Sequence, residues 1–507
     1  MKILFVSLYG IENTGVRLLS SVLKKNNYDV STIFLKNWKN NNISEPTDKE
    51  TNLFIDKIKD INPNVIGISF GSPYFKIVQF LSKEIKKTLP KVFLIFGGIH
   101  ATTVPEECIK FCDGVCVGEG EKAILELIDN LNAGKDYITT HNFWFNINGK
   151  IVKNELFPLI KDLNLIPFKD LSNNQKYYID DNKIYIGDPI LNIKEYRIFA
   201  TRGCLFNCSY CYNSIIRNVY KKEQAHYYRI RSVDNVIDEI LYAKKQFKSI
   251  RRIKFDDDTF TSNTKWIEEF CDKYKKRINI PFDIMLTPSL LNYDNLKKLK
   301  KAGLVRIQMG IEGSSKKETE TSYKRTFSND KIFEFSIRNR ELKIPVEYDV
   351  IIDNPLTTDE EKEELFLFLL SLKSKFNLFI YSLNFFPKTE ITKDFLNKGF
   401  ITEKDIEANN NKCFKQFRAS FDYKRKDKDL FYFCMLIMVS KNFIPKFIKK
   451  RIFYSEFFKK NIKITVFITK ILNLFTMSFI FFKMLFAGQI SMIKLKEYGN
   501  LKKLITQ

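Results

Sequence analysis

The sequence predicts an α/β protein, in which an N-terminal doubly wound parallel sheet is followed by a partial (β/α)6 barrel and an α-helical C-terminal region. Three observations indicate this fold class. Short β-branched runs alternate with amphipathic stretches up to residue 135, a second alternating series begins near residue 191, and the residues after 400 are basic and apolar. The chain has 507 residues and 44% hydrophobic content, which fits several packed domains and excludes wholesale disorder.

The first alternating series contains five predicted strands, at residues 2–8, 28–35, 64–70, 91–98 and 113–121. The stretches between them, such as GVRLLSSVLKK and YFKIVQFLSKEIKK, carry apolar residues at helical spacing. In doubly wound sheets, ligands bind outside the carboxyl ends of the strands. Glycines cluster at these ends, where they let a large ligand approach the backbone; they are Gly71, Gly97, Gly98, Gly118 and Gly120.

Residues 136–190 predict a linker that contains one hairpin, FWFNINGKIVKNE. The second series then supplies six predicted strands, at residues 195–201, 250–255, 281–286, 304–310, 345–352 and 376–385, with helical stretches between them. Six β/α units predict an open, partial barrel. The predicted domains are therefore 1–135, the linker 136–190, the barrel 191–400 and a helical region 401–507.

The chain is strongly basic, with 83 Lys and Arg against 59 Asp and Glu, a net charge of +24. Residues 431–507 hold 14 Lys or Arg against only Glu456 and Glu497, so 14 − 2 = +12 of this charge lies there. Such a balance indicates either an anionic partner or only the nucleotide bias of the source genome. Nine cysteines without an even pattern, and an N-terminus without a signal peptide, predict a reducing cytoplasm.

Three cysteines stand together after the first strand of the second series, in the segment TRGCLFNCSYC. Cys204, Cys208 and Cys211 form a CxxxCxxC pattern, and three thiolates on one loop can hold three irons of a [4Fe-4S] cluster while the fourth iron stays open to substrate. The alternatives are three buried structural cysteines or a zinc loop. Zinc would need a fourth ligand, for which His226 is the histidine available in this half of the chain.

The CxxxCxxC loop with Tyr210 before its last cysteine resembles that of the radical S-adenosylmethionine enzymes. The segment IKFDDDTF resembles their second-strand motif, and LKKAGLVRIQMGIEGSS resembles the segment that lies against S-adenosylmethionine. The resemblance implies contacts to this cofactor from Tyr210, Asp257, Asp258, Gly310 and Glu312. Four positions depart from the family pattern: Thr287 stands where many relatives have Arg, Asp353 and Asn354 replace Gly and Leu, and Gly313 replaces Ser.

The N-terminal half resembles the cobalamin-binding domain that precedes the barrel in one branch of this family. The segments VIGISF, FGGIHATTVPEE and DGVCVGEGE match that branch in order, whereas the cobalt-ligating DxHxxG motif is absent. The resemblance implies a cobalamin without a histidine on its lower face, held by Ser69, Gly97, Gly98, Gly118, Glu119 and Gly120. The alternative for these glycines alone is a flavodoxin-like sheet without a cofactor.

Two other groups in this half are less indicative of a metal. His100 is expected to be a hydrogen-bonding residue rather than a ligand. Cys108, Cys112 and Cys116 are expected to be small buried residues, because the strand carrying Cys116 cannot readily turn it toward the other two.

Together, the resemblances imply an enzyme with a [4Fe-4S] cluster, S-adenosylmethionine and cobalamin as cofactors. It is expected to methylate an unactivated carbon of a small-molecule or lipid-like substrate, through a 5′-deoxyadenosyl radical and methylcobalamin. An electron donor such as flavodoxin or ferredoxin is the expected partner. The alternatives are a radical cyclase or rearrangement enzyme, an RNA-modifying enzyme, and a non-catalytic sensor. The absence of an RNA-binding module in the sequence argues against nucleic acid.

The C-terminal region contains two strongly apolar runs, at residues 429–440 and 464–488. Lys470 and Lys483 interrupt the second run and leave 12 uncharged residues between them, too few to span a bilayer. Flanking basic residues favour helices at an anionic membrane surface, and they include KNFIPKFIKKR, Lys494, Lys496, Lys502 and Lys503. The alternative is that these helices cover the open side of the barrel.

Overall fold

The computed structural model describes residues 1–37, 44–325, 328–410, 419–421 and 423–486, and for residues 408–410, 477 and 479–486 it describes the backbone alone. The chain forms two compact units. The first consists of Met1–Thr261, Lys276–Ile278 and Asn384–Lys415, and the second of Ser262–Lys275, Asn279–Leu383 and Gln416–Gln507.

Among the described residues of the N-terminal half, nine strands form one sheet and six α-helices accompany it. The strands are β1 (Lys2–Leu8), β2 (Asp29–Leu35), β3 (Val65–Ser69), β4 (Phe93–Gly97), β5 (Gly114–Cys116), β6 (Phe143–Ile147), β7 (Lys150–Lys153), β8 (Lys176–Asp180) and β9 (Lys183–Ile186). The helices are α1 (Thr14–Lys25), α2 (Asp48–Ile61), α3 (Phe75–Thr88), α4 (Ile99–Thr103), α5 (Pro105–Cys108) and α6 (Glu121–Asn132). All five strands predicted in this half are present.

The sheet has the strand order β7-β6-β5-β4-β3-β1-β2-β8-β9. The six central strands from β5 to β8 are parallel, whereas β6, β7 and β9 are antiparallel to their neighbours. The predicted doubly wound parallel sheet is confirmed as the centre of a sheet that is mixed at its edges. Two hairpins from the segment predicted as a linker form its edges, because a hairpin can pair with a sheet edge without a crossover helix.

Helices cover both faces of this sheet, as the doubly wound prediction requires. Alternate residues of β1 enter opposite cores: Leu4 and Val6 pack with Phe54 of α2 on one face, and Ile3 and Phe5 lie in the core of the other face. That second core is completed by α1 and α6. A strand that is buried on both faces is apolar throughout, which is why its sequence shows a continuous run rather than alternation.

The second series of elements also follows the predicted order. Its strands are β10 (Glu195–Ile198), β11 (Thr201–Arg202), β12 (Arg229–Ile230), β13 (Arg252–Phe255), β14 (Phe282–Leu286), β15 (Leu304–Glu312), β16 (Val346–Ile352) and β17 (Phe376–Ser382). Its helices are α7 (Tyr212–Val219), α8 (Val233–Gln246), α9 (Thr264–Arg277), α10 (Tyr293–Ala302), α11 (Asn329–Leu342), α12 (Asp359–Ser371), α13 (Glu390–Asn397) and α14 (Glu403–Asn410).

The strands predicted for the barrel pair in parallel within each unit. In the first unit, β10 pairs with β13, and in the second, β14, β15, β16 and β17 pair in that order. The six strands predicted for the barrel are all present. The short β11 and β12 were not predicted as a pair; they form a separate antiparallel ribbon, of which β11 directly precedes the cysteine loop and β12 follows it.

The C-terminal region is helical, as predicted. It contains α15 (Asp427–Val439), α16 (Lys446–Phe453), α17 (Glu456–Lys460) and α18 (Ile462–Phe486), so both predicted apolar runs form helices. None of these helices, within the described residues, has the length and apolar content needed to cross a membrane. Lys494, Lys496, Lys502 and Lys503 lie outside the described residues.

Candidate functional site

One cavity of the first unit, about 430 Å³ in volume, lies at the carboxyl ends of the N-terminal strands. It brings together all six residues that the sequence analysis assigned to a cobalamin, which are Ser69, Gly97, Gly98, Gly118, Glu119 and Gly120. Its other wall contains Thr201, Arg202 and Gly203, which directly precede the first cysteine of the CxxxCxxC loop, and also Asp258. The cavity therefore joins two groups of residues that lie far apart in the sequence.

The glycines of this cavity do not share one structural role. Gly118 has φ +86°, and a Cβ there would lie 2.1 Å from Oη of Tyr220, so this position accepts only glycine. At Gly97, by contrast, a Cβ would have no neighbour closer than 3.9 Å, at the Cβ of Cys116. Gly97 thus leaves open space on the cavity wall without needing a special backbone conformation, which suits a bulky ligand close to the strand end.

The remaining wall of the cavity is largely apolar. It includes Phe5, Leu19, Ile95, Ile124 and Phe143 from the N-terminal sheet and its helices. No histidine is among its lining residues in the described chain. These residues fit a large planar cofactor whose lower face contacts apolar side chains and has no histidine ligand.

The loop that carries the cysteines connects β11 to α7. Gly203 has φ +79°, and a Cβ there would lie 2.2 Å from the carbonyl oxygen of Tyr227, so the chain can enter the loop at this point only with glycine. The backbone N–H of Cys211 donates to the carbonyl of Cys208 at 3.1 Å, and Cys211 then precedes α7 as its N-cap residue. Arg217 of α7 donates back to the carbonyl oxygen of Cys204. The loop is thereby closed on itself by its own helix.

The three cysteines fit the cluster that the sequence predicts. None of them forms a disulfide, and burial raises the pKa of the Cys211 thiol to about 12. A thiol in such surroundings becomes a thiolate when a metal binds it, since coordination removes the proton. Among the described residues, no three His, Cys, Asp or Glu side chains are arranged around a single metal ion. A cluster does not require that arrangement, because each cysteine binds a different iron.

Asp257 and Asp258 follow β13, and their environments differ. Asp257 is completely buried, and its Oδ1 accepts hydrogen bonds from the backbone N–H of Thr201 at 2.6 Å and from its hydroxyl at 2.5 Å. Burial raises the pKa of Asp257 to about 7. Asp258 lines the cavity instead, and burial among its neighbours raises the pKa of that carboxyl too. Asp258 is therefore the member of the pair that can reach a ligand, while Asp257 fixes the strand before the cysteine loop.

An ion-pair cluster, here called the arginine clamp, connects the two walls of the cavity. It consists of Glu119, Glu121, Arg202 and Arg229. Arg202 and Arg229 are cross-strand neighbours on β11 and β12, and Arg229 donates to both carboxylate oxygens of Glu119, at 2.6 and 3.1 Å. Arg202 pairs with Glu121 and lies 3.4 Å from Glu119.

Burial alone would raise the pKa of Glu119, but the hydrogen bond from Arg229 and the charges of both arginines lower it. Both oxygens of the Glu119 carboxylate are thus held by Arg229 within the protein. The clamp was not visible in the sequence, because its partners are separated by 81 and 110 residues.

His100 is buried and does not line the cavity. Its Nδ1 lies 2.8 Å from the hydroxyl of Ser72, which in turn lies 2.5 Å from Oη of Tyr212, the residue after the last cysteine. Its ring packs against Phe75, with a centroid distance of 4.5 Å, and burial lowers its pKa to about 4. The prediction that His100 is a hydrogen-bonding residue is confirmed.

In the second unit, Gly310 and Glu312 end β15 side by side. Arg325 donates to the carbonyl of Gly310 at 2.8 Å and to Oε1 of Glu312 at 3.1 Å. Glu312 has φ +59°, an unfavourable backbone conformation for a residue with a side chain. Such backbone strain is typical of functional positions, which supports a functional role for the end of β15. Arg325 was not predicted from the sequence, since a single arginine in a polar loop has no periodic signal.

Two family models match the chain in the order that the sequence predicts. The B12 binding domain matches residues 2–128, and the Radical SAM superfamily matches residues 198–369. The chain belongs to the cobalamin-dependent radical S-adenosylmethionine enzymes. The cofactors of this family are a [4Fe-4S] cluster, S-adenosylmethionine and cobalamin, as predicted.

Relatives of known or assigned activity are distant. The chain is 28% identical to an uncharacterized methyltransferase of Pyrococcus horikoshii, over 51% of this chain and 53% of the relative. It is 24% identical to the anaerobic magnesium-protoporphyrin IX monomethyl ester cyclase of Cereibacter sphaeroides, over 61% and 50% respectively. It is also 24% identical to the bacteriochlorophyllide d C-8(2)-methyltransferase of Chlorobaculum tepidum, over 70% and 74%. The chain thus spans about half the length of the first two relatives.

The fold has counterparts among solved structures. The cobalamin-dependent S-adenosylmethionine radical enzyme OxsB, with aqua-cobalamin and S-adenosylmethionine bound, matches with a TM-score of 0.63 and 16% sequence identity. The match covers 93% of this chain and 73% of OxsB. At this identity the likeness concerns the fold and leaves the substrate open.

Two departures from the family pattern have a structural reason in the second unit. A Cβ at Gly313 would lie 2.3 Å from Oε2 of Glu318, so serine does not fit beside this buried carboxyl. Asp353 accepts hydrogen bonds from Arg425 at both oxygens, each at 2.7 Å, and one from Ser382 at 2.6 Å. Asp353 thereby fixes the C-terminal region to the end of β16, which a glycine in its place could not do.

The other sequence-predicted residues have less distinctive surroundings. Asn354 donates to Oη of Tyr323 at 3.2 Å, and Thr287 is buried after β14. Cys108 is buried in α5, and the Cys112 thiol lies 3.4 Å from the Cys108 carbonyl oxygen. Cys116 is half-buried and lines the cavity.

Proposed function

We propose that the chain is a methyltransferase that methylates an unactivated carbon of a small-molecule or lipid-like substrate. The observation that carries this proposal is the single cavity that joins the glycine-rich strand ends to the entrance of the cysteine loop. A methyl donor and a radical initiator must both reach the same substrate carbon, and a shared cavity meets this requirement.

The residues of the chain have separate tasks in this proposal. Cys204, Cys208 and Cys211 would hold three irons of the cluster, and the strand ends around Gly97 and Gly118 would hold the corrin. When bound, the cluster with S-adenosylmethionine supplies a 5′-deoxyadenosyl radical, and cobalamin supplies a methyl group. The apolar wall excludes water, which protects a reactive substrate from side reactions.

The cofactor geometry expected here has no histidine on cobalt. The described lining of the cavity contains no histidine. His100 lies outside this lining, where its Nδ1 is within hydrogen-bonding distance of the Ser72 hydroxyl. We therefore expect the Co(II) form of the bound cobalamin to give an electron paramagnetic spectrum without nitrogen hyperfine splitting. Splitting by one nitrogen would contradict this part of the proposal.

Methylation is favoured over cyclisation because two of the three relatives named above are methyltransferases. The third is a cyclase, so ring formation or another radical rearrangement is the second candidate. An RNA substrate has no supporting observation in the described structure. A low-potential one-electron donor such as flavodoxin or ferredoxin is the proposed partner, because reductive cleavage of S-adenosylmethionine consumes an electron.

The test compares lipids and metabolites of a deletion strain with those of the same strain carrying the wild-type gene. Methylation predicts a compound that lacks one methyl group in the deletion strain, and the purified enzyme should convert it with formation of both 5′-deoxyadenosine and S-adenosylhomocysteine. Formation of 5′-deoxyadenosine without S-adenosylhomocysteine, and a product without an added methyl group, would favour the cyclase. A strain complemented with the Cys204→Ala, Cys208→Ala, Cys211→Ala variant is the matched control.

A further inference from the structure

The last described helix, α18, exposes large apolar side chains and buries polar ones, which is the opposite of the usual arrangement for an amphipathic helix in water. Its exposed side chains include Ile464, Phe467, Ile471 and Phe475, with 42%, 64%, 46% and 75% of their surface accessible. Their spacing of three, four and four residues places them along one stripe of the helix. An exposed row of large apolar residues is uncommon on a protein surface that only water contacts.

The opposite side of α18 buries hydroxyl groups. Thr465 and Thr469 are completely buried, and both donate to backbone carbonyls: Thr465 to that of Phe458 in α17, and Thr469 to that of Thr465, each at 2.7 Å. This side packs on α15, and the buried Lys441, which follows α15, donates to Asn473 at 2.8 Å. The helix thus buries these two threonines inside the unit and leaves Phe467 and Phe475 outside.

The preceding helices repeat this arrangement. On α16, Phe447 is 72% exposed, whereas Lys449 is buried and donates to the carbonyl of Val439 at 2.8 Å. On α17, Phe457 is 57% exposed. Transfer of an exposed phenylalanine ring out of water is favourable, so the three helices are suited to surroundings that receive the aromatic rings.

The charged residues of this region indicate what those surroundings are. Residues 441–486 contain ten Lys or Arg and a single acidic residue, Glu456. Lys459, Lys460 and Lys463 are exposed at the start of the apolar stripe, and Lys450 and Arg451 are exposed on α16. Exposed aromatic rings combined with a basic surrounding match an anionic lipid bilayer, whose interface takes up apolar side chains while its headgroups attract cations.

We propose that α16, α17 and α18 form a docking surface for an anionic membrane, with the stripe Ile464, Phe467, Ile471 and Phe475 inserted among the acyl chains. The chain would lie on the bilayer rather than cross it. This inference does not depend on the reaction, although a docked enzyme would have direct access to a lipid-like substrate.

The experiment is sedimentation of the full chain with vesicles of phosphatidylcholine containing phosphatidylglycerol, and with vesicles of phosphatidylcholine alone. We expect binding to the anionic vesicles that weakens as salt is raised. The Phe467→Ser, Phe475→Ser variant should partition about tenfold more weakly. The Phe80→Ser variant, at a phenylalanine that is 48% exposed on α3, is the matched control and should bind like wild type.

A second variant tests the electrostatic part and does not touch the apolar stripe. Replacement of Lys459, Lys460 and Lys463 by Gln should weaken binding to anionic vesicles on the order of 100-fold, since each basic residue near such a surface contributes about fivefold. Replacement of the exposed Lys275, Lys276 and Lys301 by Gln is the charge-matched control.

Three results would overturn the proposal. The first is no sedimentation with anionic vesicles at low salt. The second is a concentration-dependent dimer in light scattering that the Phe467→Ser, Phe475→Ser variant abolishes, because the stripe would then be covered by a second copy of the chain. The third is binding of the three-lysine variant to anionic vesicles with the wild-type affinity, which would contradict the role of charge.

Discussion

Two buried carboxyl groups have a raised pKa. Asp257 accepts two hydrogen bonds at Oδ1, whereas its Oδ2 is buried without a partner among the described residues. Burial raises the pKa of Asp257 to about 7, and it raises that of Glu318, in the turn after β15, to about 7 as well. A buried carboxylate is costly when charged, so both sites favour the protonated form below pH 7.

The pH dependence of stability tests the account of Asp257. Because its folded pKa of about 7 exceeds the unfolded value of about 3.9, this group stabilises the fold most at low pH, and the contribution is lost as the pH rises through 7. Asp257→Asn keeps the Oδ1 acceptor but cannot ionise. We expect the variant to gain about 2–4 kcal/mol relative to wild type between pH 5 and pH 8.

Urea unfolding of the apo protein at the two pH values measures this difference. Asp294→Asn, at an exposed residue of α10, is the control and should follow wild type at both pH values. A constant difference between Asp257→Asn and wild type from pH 5 to pH 8 would show that Asp257 is already ionised in the folded protein.

Gly97 offers a direct test of the cavity at residue scale. Its Cβ position is open and its backbone needs no positive φ, so Gly97→Val should fold normally while its methyl groups project into the cavity. We expect loss of cobalamin binding with retention of the iron-sulfur cluster. Visible absorption and metal analysis after reconstitution measure both. Gly118→Ala is a useful contrast, because its clash with Tyr220 should lower stability as well. If the Gly97→Val variant bound cobalamin with the wild-type affinity, the corrin could not lie against this wall.

At the scale of elements, the arginine clamp joins the loop after β5 to the β11–β12 ribbon, whose first strand leads into the cysteine loop. The Arg229 side chain is only 6% exposed and that of Glu119 is 20% exposed, so removal of Arg229 leaves a largely buried carboxylate with the more distant Arg202 alone. Breaking a buried pair typically costs about 3–5 kcal/mol. The clamp therefore has the strength to fix the separation between the two cofactor-binding regions.

Arg229→Gln should consequently disturb the coupling of the two cofactors more than either cofactor alone. We expect about 3 kcal/mol lower stability and more 5′-deoxyadenosine formed per methylated product, because the substrate radical and the methyl donor are no longer held in register. The double variant Glu119→Gln, Arg229→Gln should recover part of the stability, since no unpaired charge is left. Additive losses in the double variant would show that the two side chains do not interact.

At the scale of the whole molecule, the strands and helices were predictable wherever burial leaves a periodic signal. All eleven strands of the two predicted series are present because each is a run of apolar residues flanked by polar loops. The β8–β9 hairpin was missed, since its outward residues Tyr185 and Ile186 are exposed and its short strands resemble a loop. The domain boundaries stay predictions.

The candidate site was predictable to the extent that its residues lie within short motifs. The three cysteines follow from their spacing, and the glycines from their place after strands. Arg202 and Arg229 could not be predicted in the same way because their carboxylate partners are distant in sequence, and Arg325 could not because it lies in a loop without periodicity. Contacts of this kind depend on tertiary structure alone.

The central claim is that one chain binds cobalamin and also a three-cysteine cluster that cleaves S-adenosylmethionine. The most direct measurement is iron, cobalamin and 5′-deoxyadenosine content after anaerobic reconstitution with reductant and S-adenosylmethionine. The wild-type chain should hold about four irons and one cobalamin and form 5′-deoxyadenosine. The variant with Ala at Cys204, Cys208 and Cys211 should lose the irons and the cleavage but keep cobalamin. Cleavage by that variant at the wild-type rate would contradict the account.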